Sequence, residues 1–263
     1  MAVDELIQLI EQRGLKENDA LPSTAELAEA LDVSRTVVRE AIAELAGQGL
    51  LQRRQGRETV VTMPDSSQLE RLLWLRFAVG GANFEALQEY REVVEVGAAR
   101  LAAERATDDD IKRIEERLKT LREASTDDTL HEADQAFHRE VARASNNDMV
   151  LLTIDAITPL LFQLRKHAWF GWTKSGRGVE PIVEAHATIL DRIKDHDPEG
   201  AATAMKDHLT QAAEGLRLQP GSKRSHPVVN AVRPRVSQRP ATRPPNHLDG
   251  GPTGQAARQE RVK

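Results

Sequence analysis

The chain has 263 residues, 40% apolar and 29% charged, which is enough for a small domain plus a medium one, each with its own core. Few aromatic side chains (3%) leave the core to Leu, Ile, Val and Ala, a helix-leaning composition, and the lack of cysteine excludes a disulfide scaffold, thiolate metal sites and cysteine catalysis. The formal charge of −5 is uneven: residues 219–263 hold nine basic against two acidic side chains, net +7, so residues 1–218 carry −12.

In chain order, Leu6, Ile7, Leu9 and Ile10 mark a short helix ending near Gly14. In Leu21-Pro22-Ser23-Thr24-Ala25-Glu26, Ser23 and Glu26 form a capping box that opens a helix carrying Leu27, Ala28 and Leu31. After a break at Asp32-Val33, Ser34 caps the next helix, whose apolar face is Val38, Ala41, Ile42 and Leu45, and Gly47 and Gly49 stop it. Residues 50–54 and 58–62 read as two short strands joined by Gln55-Gly56-Arg57. Helix, helix, tight turn, helix, β-hairpin is the order of a winged helix-turn-helix.

The helix capped at Ser34 projects Arg35, Thr36 and Arg39 from its first turns, with both arginines on one face, away from the apolar stripe. An arginine at the start of a helix entering a major groove forks onto a guanine edge or holds a phosphate. Arg53, Arg54 and Arg57 add charge beside the wing. The alternative is a small helical domain with a solvated arginine face.

The stretch LPSTAELAEALDVSRTVVREAIAELAGQGLLQRRQGRETVV resembles the DNA-binding domain of the gluconate-repressor (GntR) family of bacterial transcription regulators, with LPS, the ELA helix, VSR-x-x-VREA, L-x-x-x-GL and RRQGR in order. The resemblance implies that Arg35, Thr36 and Arg39 make base and phosphate contacts, and that Gly56 lets the wing tip enter the minor groove. Three positions depart from the family. Ala25 stands where many members have a DNA-contacting Arg. Glu58 replaces a common Gly after the wing arginine, and Asp32 a common turn Gly.

Residues 64–66 are a linker between a DNA-binding domain at 1–63 and an all-helical domain at 67–218. Helices are expected at 67–78, 84–105, 108–123, 127–144, 148–170, 177–195 and 198–217, with starts at Thr107, Thr126, Asn147 and Asp197-Pro198. The fold class is mainly α: a winged helix-turn-helix with a small β-hairpin, then a helical bundle.

Polar residues interrupt the apolar stripes of that bundle. His186 lies between Ile182 and Ile189, and His208 between Met205 and Leu209. Asp134 and His138 are one turn apart on the flank of Leu130, Ala133, Phe137 and Val141. A lone inward histidine is ordinarily a hydrogen-bonded core residue. One carboxylate and three imidazoles from three helices can also meet at a point, and such ligands suit Zn²⁺, Ni²⁺, Mn²⁺ or Fe²⁺ with positions left open.

The segments YREVVEVGAARLAAERAT, DQAFHREVARASNND, EAHATILDRIKDHDPEGA and AMKDHL are similar to the all-helical effector domain of the FadR subgroup, often called FCD. Its metal-binding branch has Asp-x-x-x-His, then His, then His. The resemblance thus implies Asp134, His138, His186 and His208 as ligands of a divalent transition metal, zinc first. His131, three residues before Asp134, is near enough to intrude by spacing, though nothing in the motif calls for it. Arg91 sits among Leu87, Val94, Ala98 and Leu101, and a buried arginine demands an anion. Its partner is either Glu95, one turn on, or a ligand carboxylate; the resemblance favours a carboxylate effector near the metal. Arg165 and His167 carry no assignable role in the pattern.

These readings together describe a homodimeric, metabolite-responsive regulator, a repressor on a palindromic operator, not an enzyme. A metalloenzyme and a direct metal sensor are the rivals. No apolar run reaches the roughly 18 residues of a membrane span and no signal peptide opens the chain, so a cytoplasmic location is expected. The tail at 219–263 holds seven of the twelve prolines and is expected to be disordered, either an inert solubilising segment or a weak attractor of nucleic acid.

Overall fold

The structure is a computed structural model that describes residues 2–54, 58–80, 84–174, 176 and 178–217. The basic tail, Gly56 and Arg57 lie outside the described residues. The N-terminal part comprises α1 (Ala2–Gln12), α2 (Thr24–Ala30), α3 (Arg35–Gly47) and a two-stranded antiparallel sheet of β1 (Leu51–Arg53) and β2 (Thr59–Val61). Each boundary has a local chemical cause. Ser23 and Glu26 form the reciprocal cap of α2. Asp32 turns the chain at φ 50°, and Ser34 Oγ accepts from Val37 N to start α3. Gly49, at φ 80°, turns the chain out of α3 into β1. Leu51 pairs with Val61 and Arg53 with Thr59, while Ala20 bridges Val60, so the segment before α2 closes onto the hairpin. Leu6, Leu27, Val38, Ile42, Leu45, Leu51 and Val61 form one core from all of these elements.

Seven helices follow: α4 (Ser66–Gly80), α5 (Phe84–Arg105), α6 (Asp108–Glu123), α7 (Asp127–Ala144), α8 (Asp148–Lys174), α9 (Glu180–Lys194) and α10 (Pro198–Arg217). Thr107 and Thr126 cap α6 and α7 through their hydroxyls, and the side chain of Asn147 accepts from Met149 N and Val150 N at the start of α8. Three of the helices depart from their expected bounds. α4 runs from 66 to 80, and α8 continues past 170 to Lys174 in spite of Pro159 inside it. α9 begins at 180 instead of 177, because Gly178 at φ 73° breaks the preceding backbone and Pro181 fixes the first turn.

α10 packs on α5, α8 and α9, and α7 on α5, α6 and α8. The larger core joins Ala99, Ala102, Ile114, Leu121, Phe137, Val141, Ile189, Ile193, Met205 and Leu209. Beside it Leu87, Ile154, Ile157, Leu160 and Leu161 form a second cluster. Five helices (α5, α7, α8, α9 and α10) therefore face a common interior, where the polar residues of their stripes must find one another.

Candidate functional site

Among the described residues, two places carry chemistry. The first is the exposed face of α3. Val38, Ala41, Ile42 and Leu45 turn into the core while Arg35, Thr36 and Arg39 stand in solvent, as the helical spacing requires. The first turn of α3 holds no acidic residue, so the positive end of the helix dipole and Arg35 act in the same direction on an anion. Arg53 donates from Nη2 to the carbonyl oxygen of Arg39 at 3.5 Å, and Arg54 Nη2 reaches Asn18 Oδ1 at 3.4 Å. Both arginines are exposed; Arg53 lies beside α3, and Arg54 follows β1. Ala25 and Glu58 are exposed as well.

The second place is inside the bundle. The structure brings Asp134 and His138 (α7), His186 (α9) and His208 (α10) together, with one potential ligand atom from each lying within 4.8 Å of all the others. All four are buried. His186 Nε2 lies 3.1 Å from Asp134 Oδ1, and His208 Nε2 lies 3.2 Å from His138 Nε2. Phe137 packs edge-on against the His186 ring, with centroids 4.8 Å apart, and holds it in place.

The outer contacts fix how these rings present their nitrogens. His186 Nδ1 is 2.8 Å from the carbonyl oxygen of Ile182, which can only accept, so Nδ1 carries a proton and Nε2 faces Asp134. His138 Nδ1 is 2.5 Å from Glu95 Oε2, and its Nε2 faces the centre. For His208, burial disfavours the charged ring, and His186, His138 and Arg91 push its pKa down further, so it is neutral. One nitrogen of each of three imidazoles and a carboxylate oxygen thus face one another across short distances. The donor set, three nitrogens and one oxygen, fits a borderline divalent ion.

Charged groups surround this centre. Arg91 is 1% exposed; its Nε donates to Glu95 Oε1 at 2.7 Å and its Nη2 approaches His138 Nε2 at 3.2 Å. Of the two partners open to Arg91 in the sequence, the structure supplies Glu95. Arg165 on α8 is also buried, with Nη2 3.2 Å from Glu95 Oε1 and Nε 3.2 Å from Asp134 Oδ2. Burial opposes ionisation of Glu95 and Asp134. Arg91, His138 and Arg165 outweigh it at Glu95, and Arg165 and His138 at Asp134, so both carboxyls titrate well below their usual range. A cavity of about 30 Å³ adjoins the cluster, lined among others by Arg91, His131, Arg165, Trp172 and Gln211. His131 lines this cavity and packs edge-on against Phe162, but stands outside the four-residue cluster.

Sequence reasoning missed two members of the site. Glu95 entered only as an ordinary ion-pair partner, yet it contacts Arg91, His138 and Arg165 together. Arg165 went unassigned, although it falls one turn after the buried Leu161 and so continues an inward stripe.

Residues 1–61 match the profile of bacterial regulatory proteins, gntR family, and residues 86–211 match that of the FCD domain. The chain is 32% identical over 210 residues to the HTH-type transcriptional regulator LutR of Bacillus subtilis, covering 79% of this chain and 96% of the relative. This chain belongs to the gntR family of transcription regulators. A second member, the HTH-type transcriptional repressor NanR of Klebsiella aerogenes, is 31% identical over 233 residues, 86% of this chain and 87% of NanR. Among solved structures, the Streptococcus agalactiae GntR protein superposes with a TM-score of 0.58 at 27% identity, over 80% of this chain and 96% of that one. The gntR-family helix-turn-helix and the FCD domain thus fall on the exposed arginine face and on the buried cluster respectively. These family members are regulators of transcription, not enzymes. Among the described residues, no helix is long and apolar enough to cross a membrane.

Proposed function

We propose that the protein is a metabolite-responsive repressor that binds a palindromic operator as a dimer and is released by a small carboxylate bound at a metal site in its FCD domain. The observation that carries this reading is the convergence of Asp134, His138, His186 and His208 on one point, next to a cavity lined by arginine. These four residues would hold a divalent ion, zinc before nickel, manganese or iron, and the ion would supply a Lewis-acidic centre for a carboxylate. Arg91 adds a guanidinium at the same place, suited to the forked geometry of a carboxylate. Repression is the direction named for the NanR relative.

DNA reading falls to Arg35, Thr36 and Arg39 on α3, with Arg53, Arg54, Gly56 and Arg57 along the wing. A two-fold protein matches a two-fold operator. Leu72, Leu75 and Val79 share one face of α4, Tyr90 and Val93 are close on α5, and all five are exposed in a single protomer, which is surface that a second copy would cover. The ligand must favour one placement of the two DNA-binding domains over another, since only differential affinity moves an equilibrium. The segment at 64–66 is where that coupling would pass.

Mobility shift on an operator fragment tests the DNA half. Arg35→Ala with Arg39→Ala should abolish specific binding, and unchanged binding overturns the contact assignment. Emission spectroscopy of metal content tests the sensing half. Wild-type protein should hold one divalent ion per chain and the His186→Ala, His208→Ala variant far less; full occupancy in that variant overturns the ligand set.

A further inference from the structure

The charges buried around the cluster restrict the effector further than its being an acid. Arg91 and Arg165 bring two positive charges and Glu95 and Asp134 two negative ones, which sum to zero. A divalent ion leaves the site at +2. The four charged residues are between 1% and 6% exposed, so solvent compensates little of that excess. A monocarboxylate cancels half of it and a dianion all of it.

The donors agree with the charge. Arg165 hydrogen-bonds Glu95 through Nη2 and pairs with Asp134 by charge alone through Nε, so its Nη1 and Nε are both buried with no hydrogen-bond partner. Arg165 lines the cavity. Arg91 is committed through Nε to Glu95 and turns Nη2 toward His138, on the metal side of the site. A guanidinium donor of Arg165 therefore remains for an acceptor other than the one at the metal. The cavity, about 30 Å³, leaves no space for a long chain.

We infer that the effector is a short aliphatic dicarboxylate, with one carboxylate at the metal beside Arg91 and the second on Nη1 of Arg165. This rests on the metal-and-carboxylate reading above and adds the second acidic group and the residue that recognises it. Arg165 is a specificity-determining residue.

The test is calorimetric titration of full-length, zinc-loaded protein with acids matched in length: succinate against butyrate, and malonate against propionate. Each dicarboxylate should bind at least about tenfold more tightly than its partner, the effect expected of one charge-assisted hydrogen-bonded pair. Equal affinities within a pair, on protein shown to carry zinc, overturn the second-charge inference and leave the metal reading standing. Protein that takes up no divalent ion overturns both. Arg165→Lys, which keeps the charge but loses the fork, should cut the succinate preference with zinc content unchanged. A preference that survives intact in that variant overturns the role of Arg165. The wild-type comparison stands by itself should the variant fold poorly.

Discussion

Glu95 Oε2 lies 2.5 Å from His138 Nδ1, while Oε1 of the same carboxylate accepts from Arg91 at 2.7 Å and from Arg165 at 3.2 Å. One carboxylate thus orients an imidazole and compensates two buried guanidiniums. Glu95→Gln keeps the shape and removes the charge. Weakening this outer contact should lower metal affinity about 10- to 100-fold, measured by competition with a chromogenic chelator. The two arginines lose part of their compensation, so urea unfolding should show a loss of about 3 kcal/mol or more.

Acid should destabilise the metal-free protein in two stages. The folded pKa of His208 is well below 6.5, and those of Glu95 and Asp134 are well below 4.5 and 3.8. In all three the unfolded chain takes up its proton first as pH falls. The stability is therefore complete above the unfolded pKa and is lost as pH drops toward the folded one. The melting temperature should begin to fall below about pH 6.5 and fall more steeply below about pH 4.5. His208→Gln should flatten the first stage and leave the second.

Phe137 is fully buried, and its ring lies edge-on to both His186 and His138. Phe137→Ala should cost about 3–5 kcal/mol in denaturant unfolding, from lost transfer energy and the cavity left behind. Metal affinity should fall as well, because the His186 ring loses its packing partner. Phe137→Leu should recover most of the stability.

Asp32 holds φ at 50° in the turn between α2 and α3. Asp32→Gly should leave stability and operator affinity unchanged or slightly raised. Asp32→Val should lose about 1–2 kcal/mol, because a β-branched side chain resists the left-handed region. Thermal unfolding of the two variants side by side checks the contrast.

What could be read from the sequence followed locality. The caps at Ser23, Ser34, Thr107 and Thr126 are set by side chains within three residues of the amides they accept from, so the helix starts they mark are visible in the string. Asp134 and His138 share a face by spacing alone. His186 and His208 interrupt apolar stripes, which marks them as inward but does not say what they meet; the family resemblance supplied the convergence. Arg165 gave no such sign. It sits on a long helix with Pro159 inside, and its partners Glu95 and Asp134 come from two other helices. Glu95 looked complete as a one-turn partner of Arg91, and only the packing of α5 against α7 and α8 shows it serving three groups. The start of α9 was misplaced because the positive φ of Gly178 interrupts a pattern that apolar periodicity carries straight through.

The four convergent side chains span the chain from position 134 to position 208 and come from three separate helices. In a protein with no cysteine, an ion seated among them would tether distant segments, closing long loops as a covalent bridge does elsewhere. Chelation would then loosen the framework that holds the cavity as well as emptying the centre. On the function proposed above, a cell starved of the trace element would lose its response to the acid, because the same helices would have to register both supplies.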